Sequence, residues 1–478
     1  MHKRNRFQKI LGLLVVFMWA GTSAQARPTS HLKISIPTAS PTASQIKVEA
    51  DELSPARSWS FRNAYAGALG IADRVEEFRA IGDSGQDARA KKSATGEYQS
   101  DLDATRISYM VKLSNPRPTD IPYVSWLAED RGLLMLADLV PVGLESLSVE
   151  FELPAGWTVE SSITPDANGR YELSAPDKAV FFVGRSLRNA SKSVDGMMLE
   201  TVFSGTWRFK DEEALDAATT MMQKYLALTG FKLPGKSVIM FAPTPVSLGN
   251  SIWKAETRGS TVVVLMDPAA RVERWLGQVR VLLTHELLHL WVPNALKLEG
   301  DYDWFFEGFT LYTALRTALE LKIIDFKGYL TTLAGVYDAY ISHPDTLSLI
   351  DESERRWSSA GTQVYVKGML VAFLFDLMIR KDSAGKTTLA DLYRKLFNGA
   401  GADSADGNEV IIRLLGSSPA GNEFTKSYIE TNKEIRLEQL LPTYGLQLDA
   451  SGKSSQLRVS GGLSEDQKQL LRSLGYRN

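Results

Sequence analysis

The 478-residue sequence contains no cysteine and only five histidines. The absence of cysteine excludes disulfides, thiolate metal ligands, a cysteine nucleophile and a lipidated cysteine, so stability must come from the hydrophobic core. The formal net charge of −2 gives no electrostatic reason to expect binding to nucleic acid or to an anionic membrane. With 44% hydrophobic and 23% charged residues, the chain is globular in composition, and its length predicts about two or three domains.

Long hydrophobic runs are also scarce, and one near the N-terminus has the features of a targeting segment. A basic stretch at residues 2–6 precedes the apolar residues 10–19, and Ala24-Gln25-Ala26 offers a small-residue cleavage site. This order predicts a signal peptide over residues 1–26 and therefore a periplasmic or secreted protein. An uncleaved anchor is the alternative, but the apolar run is shorter than the roughly 20 residues that span a bilayer. No stable membrane anchor is expected after cleavage.

Short runs with the alternation of β-strands occupy the first half of the chain. Residues 107–111, 147–153 and 179–183 are examples, and turn signals separate them. We therefore predict an N-terminal antiparallel β-domain over residues 27–205, interrupted by one helix near residues 64–78.

The periodicity changes near Lys210. A strong helix is predicted from Asp211 to Leu228, with acids in its first turn and Gly230 just past its end. Strands are predicted at residues 238–241 and 262–265, and the chain beyond residue 307 is mainly helical in pattern. The whole is of the α+β class, with a second domain at residues 206–450 and a C-terminal tail at residues 451–478.

The motif HELLH places His285 and His289 around Glu286 in one helical turn. Apolar residues recur at helical spacing around it and Pro293 ends the pattern, so the motif is predicted to lie on a buried helix. Residues four apart share one face of a helix, and the two imidazoles can converge on one metal ion. The alternative is a pair of core histidines, which would need partners for four ring nitrogens.

A reactive metal site needs a third protein ligand and an open fourth position for water. Glu307 follows His289 after seventeen intervening residues and begins a Glu-Gly-Phe unit that opens a second helical pattern. We predict that His285, His289 and Glu307 bind Zn²⁺, because two imidazoles and a carboxylate suit zinc best. A closed structural zinc site is disfavoured, since no cysteine or further histidine lies near in sequence.

Glu286 is the predicted general base of this site. It would take a proton from the water that attacks a carbonyl carbon and return it to the leaving nitrogen, which is the chemistry of peptide hydrolysis. A solvated helix acid is the alternative, and the place of Glu286 inside the motif favours catalysis. The reaction also needs a donor to the oxyanion, for which a tyrosine hydroxyl is chemically suitable.

Three motifs along the chain combine into a pattern. They are HExxH with a tryptophan two residues after its second histidine, Glu-Gly-Phe after a tryptophan, and Tyr365-Val366-Lys367-Gly368 before an apolar helix. Together they resemble the glycyl-aminopeptidase family of gluzincin zinc metallopeptidases, which is related to the aminopeptidase N group. Over roughly residues 55–450, this resemblance implies a thermolysin-like peptidase domain behind a β-domain, peptide substrates, and Tyr365 as oxyanion donor. The family's common C-terminal PDZ domain is not expected, because only thirty residues follow Leu448.

The segment that would recognise the substrate departs from that family. Relatives carry Gly-Gly-Leu-Glu-His beside the cleft, and its acid is thought to bind the substrate's amino terminus. This chain has Trp253-Lys254-Ala255-Glu256-Thr257 at the comparable place. The resemblance thus implies Glu256 as the substrate-binding residue, although the glycines that permit close backbone approach are missing. A plain strand acid is the alternative for Glu256.

The motifs and the N-terminal segment together predict an exported zinc metallopeptidase, and the resemblance favours an aminopeptidase. An endopeptidase of the same fold is one alternative. A non-catalytic peptide-binding module that retains the zinc site is another, since a fold does not imply a function.

Overall fold

The computed structural model describes residues 30–37, 44–113, 116–248, 253–267, 275–343, 347–356, 362–400, 404–450 and 452–477. The signal peptide predicted at residues 1–26 lies outside these ranges. Within them, no helix combines the length and the apolar character that crossing a membrane requires.

The N-terminal part of the chain folds as short β-strands. Its fifteen strands are β1 (Ser30–Ser35), β2 (Gln45–Asp51), β3 (Ala56–Ser60), β4 (Ala64–Tyr65), β5 (Ala68–Leu69), β6 (Val75–Ile81), β7 (Lys91–Ala94), β8 (Glu97–Ala104), β9 (Arg106–Lys112), β10 (Trp126–Leu127), β11 (Arg131–Met135), β12 (Leu147–Glu152), β13 (Trp157–Ser161), β14 (Tyr171–Leu173) and β15 (Val180–Arg185).

These strands form four sheets. The largest has the order β14-β12-β1-β2-β9-β6, a second has the order β10-β11-β15-β13, and β3-β8-β7 and β4-β5 complete the set. Every pairing in them is antiparallel except that of β1 with β12, which is parallel. The predicted β-rich N-terminal part is therefore confirmed.

The helix predicted near residues 64–78 is wrong. The segment contains β4, β5, a single 3₁₀ turn at Ile71–Arg74 and the start of β6. Gly67 and Gly70 have φ values of 82° and 75°, a left-handed conformation that interrupts a helix. The chain therefore turns back on itself as a tight hairpin at this point.

The rest of the chain combines one five-stranded sheet and two two-stranded sheets with many helices. Its elements are β16 (Arg188–Val194), β17 (Met197–Phe203), α1 (Asp211–Thr229), β18 (Lys236–Pro243), β19 (Trp253–Arg258), β20 (Thr261–Met266), α2 (Trp275–His289), β21 (Leu298–Glu299), a π-helix (Trp304–Phe309), α3 (Thr310–Glu320), α4 (Phe326–Ser342), α5 (Leu349–Glu354), α6 (Thr362–Asp382), α7 (Leu389–Lys395), a second π-helix (Leu396–Ala400), β22 (Ala405–Asp406), α8 (Gly407–Leu415), α9 (Pro419–Tyr428), α10 (Leu437–Leu440), β23 (Leu446–Asp449), β24 (Gln456–Val459) and α11 (Glu465–Ser473).

The predicted α+β class is confirmed, and the helix predicted from Asp211 is α1, which Gly230 ends with a φ of 69°. The main sheet has the order β16-β17-β18-β20-β19. Strands β16 and β17 precede residue 205 and yet belong to this sheet, because β17 pairs with β18, which follows that residue. The segment predicted as a tail contains β24 and α11, so it is folded. The domain limits at residues 27–205 and 206–450 remain a prediction.

The central strands β18 and β20 of the main sheet are buried on both faces, because their side chains alternate between two cores. On one face, strands β18 and β20 pack with α1, α2 and the later helices through Ile239, Phe241, Val262 and Val264. On the other face, their alternate residues Val238, Met240, Val263 and Leu265 pack with Trp126, Leu133, Val180 and Phe182 of the N-terminal strands. A third core lies inside the N-terminal part itself. The two halves of the chain thus share an apolar interface, with β19 at the edge of the main sheet.

Candidate functional site

The rotation of α2 is set by its apolar face. Leu283, Leu287 and Leu288 are completely buried and pack into the core between the main sheet and the helices. The hydroxyl of Tyr225 on α1 also donates to the backbone carbonyl of Thr284. With this face buried, the polar residues of the helix line a cleft beside β19.

The three predicted metal ligands converge in this cleft. The Nε2 atoms of His285 and His289 lie 3.1 Å apart. The Oε2 atom of Glu307 lies 3.6 Å from Nε2 of His285 and 3.4 Å from Nε2 of His289. One ligand atom from each residue thus falls within 4.8 Å of the others. The π-helix contributes Glu307, and π-helical turns occur frequently at functional sites.

The tautomer of His289, like the spacing of the three ligand atoms, is suited to binding a metal ion. The Nδ1 atom of His289 lies 2.9 Å from the backbone carbonyl of Val292. The ring must donate its Nδ1 proton there, so Nε2 is the atom directed at the cluster and the one that would bind a metal ion. The Nδ1 atom of His285 is buried and has no such partner among the described residues.

The charges of Glu307 and His289 depend on each other. Burial opposes a charge on the ring, but the Glu307 carboxylate outweighs burial and raises the pKa of His289 to about 9. Burial also opposes a charge on Glu307, yet His289 and His285 hold the pKa of this carboxyl well below its usual range. The cluster therefore favours positive charge at its centre, which a divalent cation would provide.

Glu286 is held against the edge strand. The hydroxyl of Thr257 on β19 lies 2.8 Å from its Oε2 atom and 2.9 Å from its backbone carbonyl oxygen, and it shares its one proton between these two acceptors. Glu286 is only 7% exposed, and it lines the cleft together with the histidines. The carboxylate is thus restrained on one oxygen, and Oε1 makes none of these bonds.

Tyr365 enters the cleft from the first turn of α6. Its hydroxyl accepts a hydrogen bond from Nη2 of Arg356, which also donates to Oε1 of Glu307 at 2.8 Å. Burial and the negative charge of Glu307 raise the pKa of Tyr365 above its usual value, although Arg356 opposes this shift. The hydroxyl is therefore protonated and able to donate.

A glycine-to-glycine contact brings Glu307 and Tyr365 together. A Cβ atom at Gly308 would lie 2.5 Å from backbone atoms of Gly368, and one at Gly368 would lie 2.8 Å from the carbonyl oxygen of Trp304. Only glycine allows the π-helix and α6 to approach so closely. The glycines of the Glu-Gly-Phe and Tyr-x-Lys-Gly motifs therefore contact each other.

Glu256 lies in the same cleft, on β19. Its Oε1 atom accepts a hydrogen bond of 3.0 Å from the hydroxyl of Tyr65 on β4, and it lies 3.7 Å from Nε of Arg258. Burial raises the pKa of Glu256 to about 7, although Arg258 opposes the shift. The guanidinium of Arg258 also lies over the Tyr65 ring, 4.1 Å from its centroid. A residue of the N-terminal part therefore contacts the predicted substrate anchor.

The cleft has a volume of about 530 Å³, and all six predicted site residues line it. Further residues of the wall escaped the sequence analysis, namely Thr257, Arg356, Tyr65 and Tyr123. Thr257 adjoins Glu256 and could have been found from the strand that carries it. The others come from segments without a motif, and no spacing in the sequence connects them with the histidines.

Several solved structures share this fold. An aminopeptidase N family protein from Idiomarina loihiensis superposes with a TM-score of 0.74 at 17% identity, over 91% of this chain and 82% of that one. The M1 zinc metallopeptidase from Deinococcus radiodurans gives a TM-score of 0.54 at 13% identity, over 85% of this chain and 94% of that one. A mutant of the same enzyme, bound to a Tyr-Ser-Ala substrate, gives 0.53 at 15% identity, over 85% and 94% of the two chains.

No family model matches the sequence, and no curated relative matches it either. At such low identity, the likeness to the solved structures concerns the fold. The resemblance inferred from the motifs is confirmed at this level: the chain has an α+β architecture shared with an aminopeptidase N family protein and an M1 zinc metallopeptidase.

Proposed function

We propose that this protein is a zinc-dependent peptidase. The observation that carries the proposal is the convergence of His285, His289 and Glu307, whose ligand atoms lie within 4.8 Å of one another, in a cleft that Glu286 also lines. The fold shared with M1 zinc metallopeptidases supports it. When bound, Zn²⁺ supplies a Lewis acid that polarises the scissile carbonyl and acidifies the attacking water.

Glu286 is the general base in this proposal. Thr257 holds its Oε2 atom, so Oε1 is available to accept a proton from the attacking water. The same carboxyl then returns that proton to the amide nitrogen as the carbon–nitrogen bond breaks, which gives a carboxylic acid and an amine. The second proton of the water then passes from the acid to the amine, so the final products are a carboxylate and an ammonium group. Because the proton is only transferred within the site, Glu286 ends the reaction in its starting state.

Tyr365 is the proposed donor to the oxyanion. The nitrogen Nη2 of Arg356 donates to its hydroxyl oxygen, so the hydroxyl proton is available for another acceptor. The raised pKa of Tyr365 keeps that proton in place. A preformed donor of this kind stabilises the negative charge that develops on the carbonyl oxygen.

The finer proposal is an aminopeptidase in which Glu256 binds the amino terminus of the substrate. Glu256 is a partly buried acid in the same cleft as the metal ligands. Structures of related M1 enzyme variants contain Tyr-Ser-Ala or the single amino acid L-arginine, and we extend such substrates to this chain. A specific observation favours the endopeptidase alternative, because Tyr65 and Arg258 already surround Glu256. An exported location remains a prediction from residues 1–26.

Replacement of the general base tests the peptidase. Glu286→Gln should retain zinc, measured as metal per mole of protein, and should lose turnover of a mixed peptide library by at least about 1,000-fold. Glu423→Gln, an exposed acid on α9, is the matched control and should cleave normally. Unchanged turnover in Glu286→Gln would exclude this mechanism. Wild-type protein that binds zinc and peptides without cleaving any would instead be the binding module.

Blocked and free peptides distinguish the two kinds of peptidase. An aminopeptidase should release the first residue of Tyr-Ser-Ala and should leave its N-acetylated form intact. Glu256→Gln should then raise KM for the free peptide by about 10-fold, since an ion pair with the amine is lost. Equal cleavage of both forms at internal bonds, with no effect of Glu256→Gln, would assign the endopeptidase.

A further inference from the structure

We propose that Arg356 is a positioning residue that couples the third metal ligand to the oxyanion donor, a role that rests on the proposed peptidase function. Arg356 follows α5 in sequence and belongs to none of the motifs. Its guanidinium nevertheless contacts both Glu307 and Tyr365 inside the cleft. The contacts indicate that one cation sets the orientation of both the third metal ligand and the oxyanion donor.

The guanidinium is itself held in place. Its Nη1 atom forms an ion pair with Oδ1 of Asp303, and the side chains of Arg356 and Asp303 are each only 9% exposed. Two aromatic rings flank the cation, with the centroid of Phe306 at 5.6 Å and that of Tyr365 at 5.1 Å. Because these partners lie on several sides, the planar group has little freedom to rotate.

The two oxygens of the Glu307 carboxylate have different partners, because Arg356 binds one of them. Oε1 accepts a hydrogen bond of 2.8 Å from Nη2 of Arg356. Oε2 is directed at the histidines, 3.4 Å from Nε2 of His289. A carboxylate bound in this way cannot rotate without breaking a charge-assisted hydrogen bond. It therefore presents one oxygen, Oε2, to a metal ion between the three ligands.

The same nitrogen orients the hydroxyl of Tyr365. Nη2 of Arg356 is the donor in this contact, so the tyrosine oxygen is the acceptor. A hydroxyl has one proton to donate, and this contact leaves it available for the substrate. Without Arg356 the hydroxyl could donate to the nearby Glu307 carboxylate instead, and this would withdraw it from the oxyanion.

Lysine cannot replace this arrangement fully. The contacts to Asp303, Glu307 and Tyr365 use two nitrogens of one rigid fork. An ammonium group retains the charge but presents a single nitrogen on a flexible chain. The charge and the geometry of Arg356 can thus be separated by experiment.

Four variants of the full-length protein test the role. Arg356→Met removes both the positive charge and the planar guanidinium, whereas Arg356→Lys keeps the charge and removes only the guanidinium. Arg355→Met removes a neighbouring exposed cation. Arg380→Met removes a buried cation paired with Asp376 on α6, about 20 Å along the helix from Tyr365. The readouts are zinc affinity by competition with a chelator, the absorption spectrum of the Co²⁺-substituted protein, kcat and KM on one peptide, and thermal unfolding.

We expect Arg356→Met to weaken zinc binding by about 10- to 100-fold, as losses around a metal ligand typically do. The Co²⁺ spectrum should change, since the orientation of Glu307 changes, and kcat should fall by at least about 10-fold with KM within about 2-fold. Arg356→Lys should lie between this variant and the wild type. Arg355→Met and Arg380→Met should match the wild type in zinc affinity, spectrum and kcat, whatever they do to the unfolding temperature.

Several outcomes would overturn the proposal. Wild-type zinc affinity, Co²⁺ spectrum and kcat in Arg356→Met would do so, and so would an increase in KM alone, which would make Arg356 a substrate-binding residue. If Arg356→Met does not fold, Arg356→Lys and Asp303→Asn take its place, and wild-type values in both would be equally decisive. Loss of the peptidase hypothesis through Glu286→Gln would leave the zinc and Co²⁺ measurements on Arg356 interpretable by themselves.

Discussion

At the scale of single residues, three groups in the cleft are restrained by hydrogen bonds to neighbouring residues. Thr257 holds Glu286, the carbonyl of Val292 holds His289, and Arg356 holds Tyr365. Each contact fixes which atom of the side chain is committed and which is available. Pre-organisation of this kind is what a proton-transfer site requires, because a misplaced base or donor reduces the rate steeply.

The bond from Thr257 to Glu286 yields one prediction. Thr257→Val preserves shape and removes the hydroxyl that donates to Oε2 at 2.8 Å. We expect kcat to fall by about 10- to 100-fold, which corresponds to the roughly 1.5–3 kcal/mol of a hydrogen bond to a charged group. Thr261→Val on the neighbouring strand is the control, since its hydroxyl binds Ser162 at 3.0 Å. Equal kcat values in the two variants would contradict the role of Thr257.

The hydroxyl of Tyr365 yields a second prediction. Tyr365→Phe removes the proposed oxyanion donor, and we expect kcat to fall by about 100- to 1,000-fold. The zinc content should remain stoichiometric, because the tyrosine is not a ligand. Tyr337→Phe is the matched control, as its hydroxyl binds Glu438 at 2.9 Å in a different region. A kcat within about 2-fold of the wild type would assign the donor role to another group.

At the scale of elements, the site depends on how α2, the π-helix, α6 and β19 are packed. The apolar face of α2 turns the histidines into the cleft, and edge strand β19 brings Thr257 and Glu256 beside them. The π-helix and α6 approach through Gly308 and Gly368. These four elements are far apart in sequence, and their contacts decide the distances between the functional groups.

A third prediction concerns the close contact between Gly308 and Gly368. Gly308→Ala places a methyl group 2.5 Å from the backbone of Gly368, so the π-helix and α6 must separate. We expect a loss of about 1–3 kcal/mol in the free energy of unfolding, as for other overpacked sites, together with weaker zinc binding. Urea unfolding and chelator competition measure the two effects.

Gly335 provides the control for this prediction. It lies within α4, and a Cβ atom there meets nothing within 4 Å. Gly335→Ala should therefore raise the free energy of unfolding by up to about 1 kcal/mol, since alanine favours a helix more than glycine does. Two alanine variants of equal stability would show that the glycine contact is not needed.

At the scale of the whole molecule, the main sheet joins the two halves of the chain. Its β16 and β17 precede residue 205, and one of its faces packs against N-terminal strands through an apolar core. The hydroxyl of Tyr65 reaches from β4 to Glu256 in the cleft. The N-terminal part is therefore both a support for the sheet and a wall of the site.

The metal yields a prediction at this scale. A cation bound by α2 and the π-helix stabilises only the folded state, and at a concentration 1,000 times its Kd it adds about 4 kcal/mol. Removal of zinc by a chelator should thus lower the unfolding temperature by several degrees. Glu307→Gln weakens the ligand set and should lose this response, while Glu423→Gln should retain it. If the chelator leaves the unfolding temperature of the wild-type protein unchanged, this result would contradict a metal at this site.

Part of the fold was predictable because local sequence patterns indicate individual helices and strands. Helix α1 has acids at its start and Gly230 at its end, and the strands β18 and β20 are continuous apolar runs. The helix expected near residues 64–78 was wrong, because a short apolar pattern does not reveal that Gly67 and Gly70 adopt positive φ. Strand β17 lies within the region predicted to be β-rich, but its parallel partner β18 follows a whole helix later.

The sequence by itself determined the candidate metal ligands, the candidate general base and the α+β class, because spacing on a helix and apolar periodicity are local properties. HELLH puts both histidines on one face whatever surrounds the helix. Only the tertiary structure decided that Thr257, Arg356 and Tyr65 meet this face, since no local pattern encodes contacts between distant segments. It also decided that Tyr65 and Arg258 contact Glu256, and these contacts affect which peptide bond the proposed peptidase could reach.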